Sequence, residues 1–468
     1  MQRPMDQLVL QSLRESGLIF VSAQPDNTYF HWQVELYLYQ FAKHGLSDMC
    51  YAVIGYSGDS PTAYALKLAN KYPHILFYKD TRTLKQYSPS IRPHILAKFF
   101  AEYPQFQKNV FYHDSDIFLT KLPRFDLMLS SDDNKSYVSD TKSYIGYEYI
   151  KKCADRYKTK HKNLPDLDIF YGMCNVLGIN PGIVIANQEN SGGAQYLLKN
   201  IDQSFWVECE KKCVELYSYF CNYEKKYPID HHIQKWTTDM WVVLWLYWKR
   251  GGHTVIHKEL DFSWGTGTIN DYNDKNIFHL AGVTNANCSD KFHKGKFTNI
   301  LVFDAYLKNP KLFNNIRSTG ATLPYTNVIR EYVEKIYSKK TRTDCIIDSY
   351  KLKNNGQRGH ELKNNGQRGH ELKNNGQREY DTIKEFTIKT KCNFAGIYKI
   401  DNSKICCGKN IWRSTNDFYL IFWNGMHWIL TESRYENKIG QRCGGLASSS
   451  ANYPFMDGWN ISDIGIIY

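Results

Sequence analysis

The sequence predicts an α/β fold, a mostly parallel sheet flanked by helices, followed by a small β-rich domain. Three observations carry this reading. Short apolar runs alternate with helical patterns along the N-terminal part of the chain. One strand-like run ends in two carboxylates one residue apart, Asp114-Ser115-Asp116. A set of near-identical decapeptides then separates this region from an aromatic-rich C-terminal stretch. At 468 residues the chain exceeds what one small core can hold, so two domains are expected.

The elements follow in order. Gly17–Ser22 (GLIFVS) reads as a first strand. Apolar spacing through Trp32, Val34, Leu36, Tyr39 and Phe41 predicts a helix. Met49–Ile54 (MCYAVI) is a second strand, ending in a glycine-containing loop at Gly55–Asp59. Pro61–Lys71 reads as helix, His74–Tyr78 as strand and Pro89–Phe100 as helix, before the strand that leads into Asp114. Strand–helix alternation at this spacing implies right-handed βαβ units and a parallel sheet. Beyond the acidic pair the pattern is mixed. Tyr137–Asp140 and Gly182–Ala186 (GIVIA) predict strands, and Gln195–Phe205 and Ile233–Arg250 predict helices.

Globular α/β texture runs over residues 1–340, read as one domain. Residues 341–380 hold the repeat: LKNNGQRGHE at Leu352–Glu361, again at Leu362–Glu371, and begun once more at Leu372. Each full unit has one strongly apolar residue and cannot build a core, so a flexible linker is expected. Residues 381–468 regain globular texture as a small β-rich accessory domain. Phe422–Trp428 reads as a hairpin with Asn424-Gly425 at its turn. Its aromatics fit the core of a small domain better than an exposed sugar-stacking surface.

The run Asn109–Leu119 (NVFYHDSDIFL) carries the chemistry. It is apolar and aromatic except for Asp114 and Asp116. Burying two carboxylates side by side is unfavourable unless a partner neutralises them. Hard divalent cations prefer carboxylate oxygens and remove that penalty. The carboxyl edge of a strand in an α/β sheet is also where such folds bind nucleotides. The phosphohydrolase nucleophile pair is the rival chemistry, but Phe118 stands where that pattern has Thr or Val. A second D-x-D, Asp166-Leu167-Asp168, follows Lys162-Asn163-Leu164-Pro165 with no strand leading in, and reads as a solvated loop.

Other candidates are weaker. Lys294-Gly295-Lys296 could bring backbone and ammonium groups to a phosphate, or be a basic turn. Arg92, at a helix start before Pro93, could meet phosphate or ribose, or be an ordinary surface arginine. Asp239 lies beside Trp236 and Trp241, where a carboxylate and an aromatic platform could bind a sugar or act as a base, the alternative being a helix N-terminal acid; the run Trp241–Trp248 fits helix core better.

Net charge is +12 and suits phosphate-bearing ligands, but Lys and Arg are scattered, so no nucleic-acid partner is expected. The 12 cysteines include no C-x-x-C and read as reduced, structural thiols. Neither a signal peptide nor a membrane span is expected. The Tyr, Asn, Lys and Ile bias is what an AT-rich genome writes.

From about Gly17 to Phe303 the chain resembles GT-A-fold glycosyltransferases related to hydroxyproline O-arabinosyltransferases and peptidyl-serine galactosyltransferases, and looks like a giant-virus member of that group. The likeness is carried by Tyr29–Val34 (YFHWQV), Ser90–Pro93 (SIRP), His113–Asp116 (HDSD), Trp236–Met240 (WTTDM) and Phe278-His279-Leu280. It implies a Rossmann-like sheet, a nucleotide-diphosphate sugar donor such as a UDP-sugar, Mn²⁺ or Mg²⁺, and a hydroxyl acceptor on a protein or glycan. Asp116 would be the direct ligand and Asp114 the partner for ribose and metal. His279 would be a third ligand, the alternative being a structural histidine. The first-strand end, Ser22-Ala23-Gln24, would approach the uracil. The expected location is the host cytoplasm, in a viral factory, or the virion. The reading from another class is a non-catalytic carbohydrate-binding or virion structural protein on a degenerate transferase fold.

Overall fold

The computed structural model describes residues 4–130 and 135–337, together with seven strands after residue 384. The chain divides into two compact units, Met1–Arg358 and Gly359–Tyr468.

In the first unit, strands β1 (Leu18–Pro25), β2 (Cys50–Tyr56), β3 (Ile75–Lys79), β4 (Asn109–His113), β6 (Lys135–Asp140), β7 (Gly192–Lys199) and β8 (His253–Ile256) form one sheet. Its order is β3-β2-β1-β4-β7-β6-β8. The pairs β1–β2, β2–β3, β1–β4 and β6–β8 are parallel, and β7 runs antiparallel to both its neighbours. The chain proceeds outward from β1 to β3, then returns to lay β4 on the other side of β1. That reversal opens a crevice at the carboxyl ends of β1 and β4, the switch point where open α/β sheets bind ligands. A second sheet joins β5 (Ile117–Leu119), β10 (Ile277–His279) and β9 (Phe262–Trp264). The helix-flanked, mostly parallel sheet expected from the sequence is present.

Helices cover both faces because β1 and β4 are almost wholly buried. On one face Ile91–Glu102, Gln203–Lys226 and Thr238–Lys249 pack their apolar residues on Val21, Val110 and Tyr112. On the other, Thr28–Ala42 packs Val34, Tyr37 and Phe41 on Phe20 and Phe111. Asn27 caps that helix through Phe30 N. A third cluster joins Trp32, Phe118 and Phe278 to the late helix Thr322–Tyr332. Polar contacts fasten the same late helix. Glu331 accepts from Lys43 at 2.6 Å and Tyr39 at 3.0 Å, and buried Glu35 accepts from Tyr64, Lys71 and Tyr332.

Two expected elements are corrected. Gly182–Ala186 is part of a helix, Pro181–Ala186, not a strand. The Asn180 side chain accepts from Gly182 N at 2.8 Å and Pro181 occupies the first helical position, so local capping overrides the β-branched run. Gln195 lies in strand β7, and the next helix starts only at Gln203, capped by Asp202 on Phe205 N at 2.9 Å. The helix expected over Ile233–Arg250 is shorter, Thr238–Lys249.

Asp166 is exposed, while Asp168 begins a helix after a left-handed Leu167. The described cysteines Cys50, Cys153, Cys174, Cys209, Cys213, Cys221 and Cys288 are all free. Among the described residues no helix is long and apolar enough to cross a membrane.

In the second unit the strands Glu385–Ile388, Gly396–Cys406, Lys409–Ser414, Tyr419–Trp423, Trp428–Glu432, Ala447–Ser449 and Trp459–Asn460 form an antiparallel meander in chain order. Trp423 pairs with Trp428, as the expected hairpin requires. Its turn, Asn424-Gly425, and the decapeptide repeats lie outside the described residues.

Candidate functional site

The carboxyl end of β4 delivers Asp114 and Asp116 to the crevice, and β5 then continues the buried chain. β10 pairs antiparallel with β5, and Leu280 N donates to Asp116 O at 3.0 Å. This pairing sets His279 beside the acidic pair. Its Nε2 lies 3.3 Å from Asp116 Oδ1 and 3.5 Å from Asp114 Oδ2. One ligand atom from each of the three residues falls within 4.8 Å of the others. Asp116 and His279 are buried, and Asp114 is partly open. Two carboxylates and an imidazole form a donor set suited to a divalent cation that accepts both oxygen and nitrogen.

The surroundings of His279 bear on that fit. Ser139 Oγ lies 2.7 Å from both Gln195 Oε1 and Leu260 O, and Gln195 Nε2 lies 3.1 Å from His279 Nδ1. Ser139 has one hydroxyl proton and cannot donate to both oxygens. Exchanging the two ends of the Gln195 amide resolves this. Ser139 then donates to Leu260 O and accepts from the Gln195 amide nitrogen, while Gln195 Oε1 accepts the Nδ1 proton of His279. The Nε2 lone pair is left facing the two carboxylates, the form a metal-ligating histidine needs.

Two cations complete the electrostatics. Lys294, in the short 3₁₀ turn Lys294–Phe297, forms an ion pair with Asp116. Burial would raise the Asp116 carboxyl, but the Lys294 ammonium beside it holds it well below the usual range. Burial likewise disfavours the Lys294 ammonium, yet Asp116 keeps it above its ordinary value. Arg92 lies 2.7 Å from Asp114 and 3.5 Å from Asp239, so one guanidinium spans both acids. Asp239, at the first turn of Thr238–Lys249, also accepts from Tyr87 OH at 2.7 Å. Burial raises its carboxyl above the ordinary value.

The expected residues are thus distributed as follows. Asp114, Asp116, His279, Arg92, Lys294 and Asp239 converge on one crevice. Lys296 is exposed, and no contact joins it to the acidic group among the described residues. Ser22 is fully buried and hydrogen bonded to Tyr37 OH at 2.7 Å. β1 runs three residues beyond Ser22, so the residue near the open end is Gln24. Gln24 is 1% exposed, and its amide finds no partner among the described residues. Trp241 belongs to the core, whereas Trp236 is 64% exposed beside Asp239. The run Trp241–Trp248 is helix core, as its aromatic pattern suggested.

Sequence reasoning missed Gln195, Tyr87 and Gly282. Gln195 was hidden by the helix expectation, and Tyr87 by lying in an irregular stretch. Gly282 has φ 81° three residues after His279 and turns the chain back under Trp264. The His279-Leu280-Ala281-Gly282 order was the available signal.

No protein-family model matches the chain, and no curated protein matches it. Solved structures similar to it include the apo form of the bifunctional glycosyltransferase WbbM. That match has 10% identity, covers 64% of this chain and 51% of that one, and has a TM-score of 0.35. The galactosyltransferase LgtC in complex with donor and acceptor sugar analogs matches at 15% identity, 56% and 87% coverage and TM-score 0.28. A glycosyltransferase involved in glycosylation of the major capsid of PBCV-1 matches at 11%, 57% and 94%, and 0.28. The chain spans about half the length of the WbbM chain. Strand order and register, rather than these distant likenesses, define the architecture described above.

Proposed function

We propose that this protein is a metal-dependent GT-A glycosyltransferase that takes a nucleotide-diphosphate sugar, a UDP-sugar, and transfers the sugar to a hydroxyl on a protein or glycan. The convergence of Asp114, Asp116 and His279 at the switch point of the sheet carries the proposal. These three residues would hold Mn²⁺ or Mg²⁺. When bound, the cation supplies charge neutralisation at the diphosphate leaving group.

The chain's own residues do the rest. Gln24, a buried amide with no partner among the described residues, offers a donor and an acceptor to the edge of a base at the end of β1. Lys294 exchanges its contact with Asp116 for a diphosphate oxygen. Arg92 holds Asp114 on one side and Asp239 on the other, fixing both acids. Asp239, made more basic by burial, stands on the acceptor side, with Tyr87 orienting it and exposed Trp236 next to it.

The test is calorimetry of the full chain with UDP, with and without Mn²⁺. Binding should require the metal and should vanish in Asp116→Asn, an isosteric change that keeps the packing of this buried site. Metal-independent UDP binding, or wild-type binding by the variant, would sink the proposal.

A further inference from the structure

The acidic site shares a wall with a second concavity. A groove of about 550 Å³ is lined by the end of β6, the N-terminal part of the helix Tyr147–Lys160, and β9. Its inner wall is aromatic. Trp264 is half-buried there and stands in register with His279 on the neighbouring parallel strand. The Phe262 ring lies 4.9 Å from Trp264 and 5.4 Å from His279. Tyr144 meets the edge of Trp264 at 5.8 Å and feels the charge of Asp114. A ligand resting on Trp264 would therefore abut the residues around the acidic pair.

The rim is polar and balanced in charge. Asp140, Glu148 and Asp261 face Lys142, Lys152 and Lys275 around it. Lys275 already holds Asp261 at 2.9 Å, and Lys142 holds Glu189 at 2.8 Å. Three carboxylates against three ammonium groups leave no field of one sign, so an acidic or basic peptide gains little by steering. Alternating donors and acceptors around an aromatic face suit a neutral ligand rich in hydroxyls, whose C–H face packs on the ring.

We propose that this groove is a binding site for a neutral oligosaccharide, and that the acceptor of the reaction is a glycan. The identification of the bound sugar as acceptor rests on the transferase reading; sugar binding itself does not.

The test uses the full chain without metal or nucleotide. A panel of neutral gluco-, galacto- and manno-configured tetrasaccharides is titrated by calorimetry and saturation-transfer NMR, beside sialylated glycans and a lysine-rich peptide. The expected result is binding of a neutral member in preference to the charged probes, weakened about tenfold or more in Trp264→Ala. Glu148→Gln, on an exposed helical position, should weaken it severalfold and covers the case in which Trp264→Ala fails to fold. No neutral glycan binding, preference for a charged probe, or affinity unchanged in the folded variants would overturn the proposal. Loss of metal-dependent UDP binding with glycan binding retained would instead count against the transferase reading alone.

Discussion

Replacing Lys294 by Met should strengthen binding of the metal alone and weaken binding of UDP to the metal-loaded protein. Without ligands Lys294 occupies Asp116, whose side chain is 4% exposed while that of Lys294 is 26% exposed. A cation entering the Asp114–Asp116–His279 group must displace that ammonium. A hydrogen bond between charged groups contributes about 1.5–3 kcal/mol. The partial exposure of Lys294 argues for the lower end of that range, so Mn²⁺ alone should bind Lys294→Met roughly tenfold more tightly. For UDP the sign is the opposite, because the ammonium that should contact the diphosphate is gone. UDP should bind the Mn²⁺-saturated variant about tenfold more weakly. Met keeps the aliphatic stem and its packing. Titration of free Mn²⁺ by electron paramagnetic resonance, followed by calorimetry with UDP, measures both halves. Weaker Mn²⁺ binding by the variant in the absence of UDP would refute competition between Lys294 and the cation. Unchanged UDP affinity would refute its transfer to the phosphate.

Two further outcomes are expected. Lys43 holds the Glu331 carboxyl down to about 2, with Lys335 and Tyr39 assisting. Its stabilisation is therefore complete above the ordinary carboxyl range and lost as pH falls from about 4.5 towards about 2. After allowance for solvent screening the effect is on the order of 1 kcal/mol, so Glu331→Gln should flatten the acid limb of a melting-temperature profile, and an unaltered limb would refute it. Residues 1–340 should fold alone, since the described core clusters lie between Leu10 and Val333. A fragment that is insoluble, or that lacks the metal-dependent UDP binding of the full chain, would show that the C-terminal unit is integral to the first.

Much of this was legible along the chain because the early elements are local. GLIFVS, MCYAVI and NVFYH each read as continuous apolar strands, since β1, β2 and β4 are covered on both faces. Periodicity failed where local and long-range preferences part. GIVIA looks like a strand until Asn180-Pro181 is weighed as a helix start. Gln195–Leu198 looks helical because nothing nearby says that it will slot between β4 and β6. The acidic pair announced itself, being two charges in an apolar run. Its partners His279, Lys294 and Arg92 were legible only as candidates, each with an ordinary structural alternative, because they come from elements remote in sequence. Gln195 could be found only once Ser139 and His279 were seen on either side of it. Ser22 was misplaced by ending β1 too early, which put a core hydroxyl where Gln24 stands.

The remoteness of those partners has a consequence for how the protein is made. Asp116 and Lys294 are separated by 178 positions, and β10 closes on β5 only after β6, β7, β8 and β9 have been synthesised. Until then the ribosome has released an acidic pair with neither its lysine nor its histidine, on a strand whose sheet neighbour β7 is also still to come. Closing so large a loop is slow. While the 178 positions up to Lys294 are made, the nascent chain carries Asp116 without its lysine, although Arg92, already made, can pair with Asp114. If the site takes a divalent ion as proposed, one captured at that stage would bind before the lysine that competes with it exists, so the order of translation, and not only the final equilibrium, would bear on which cation is held.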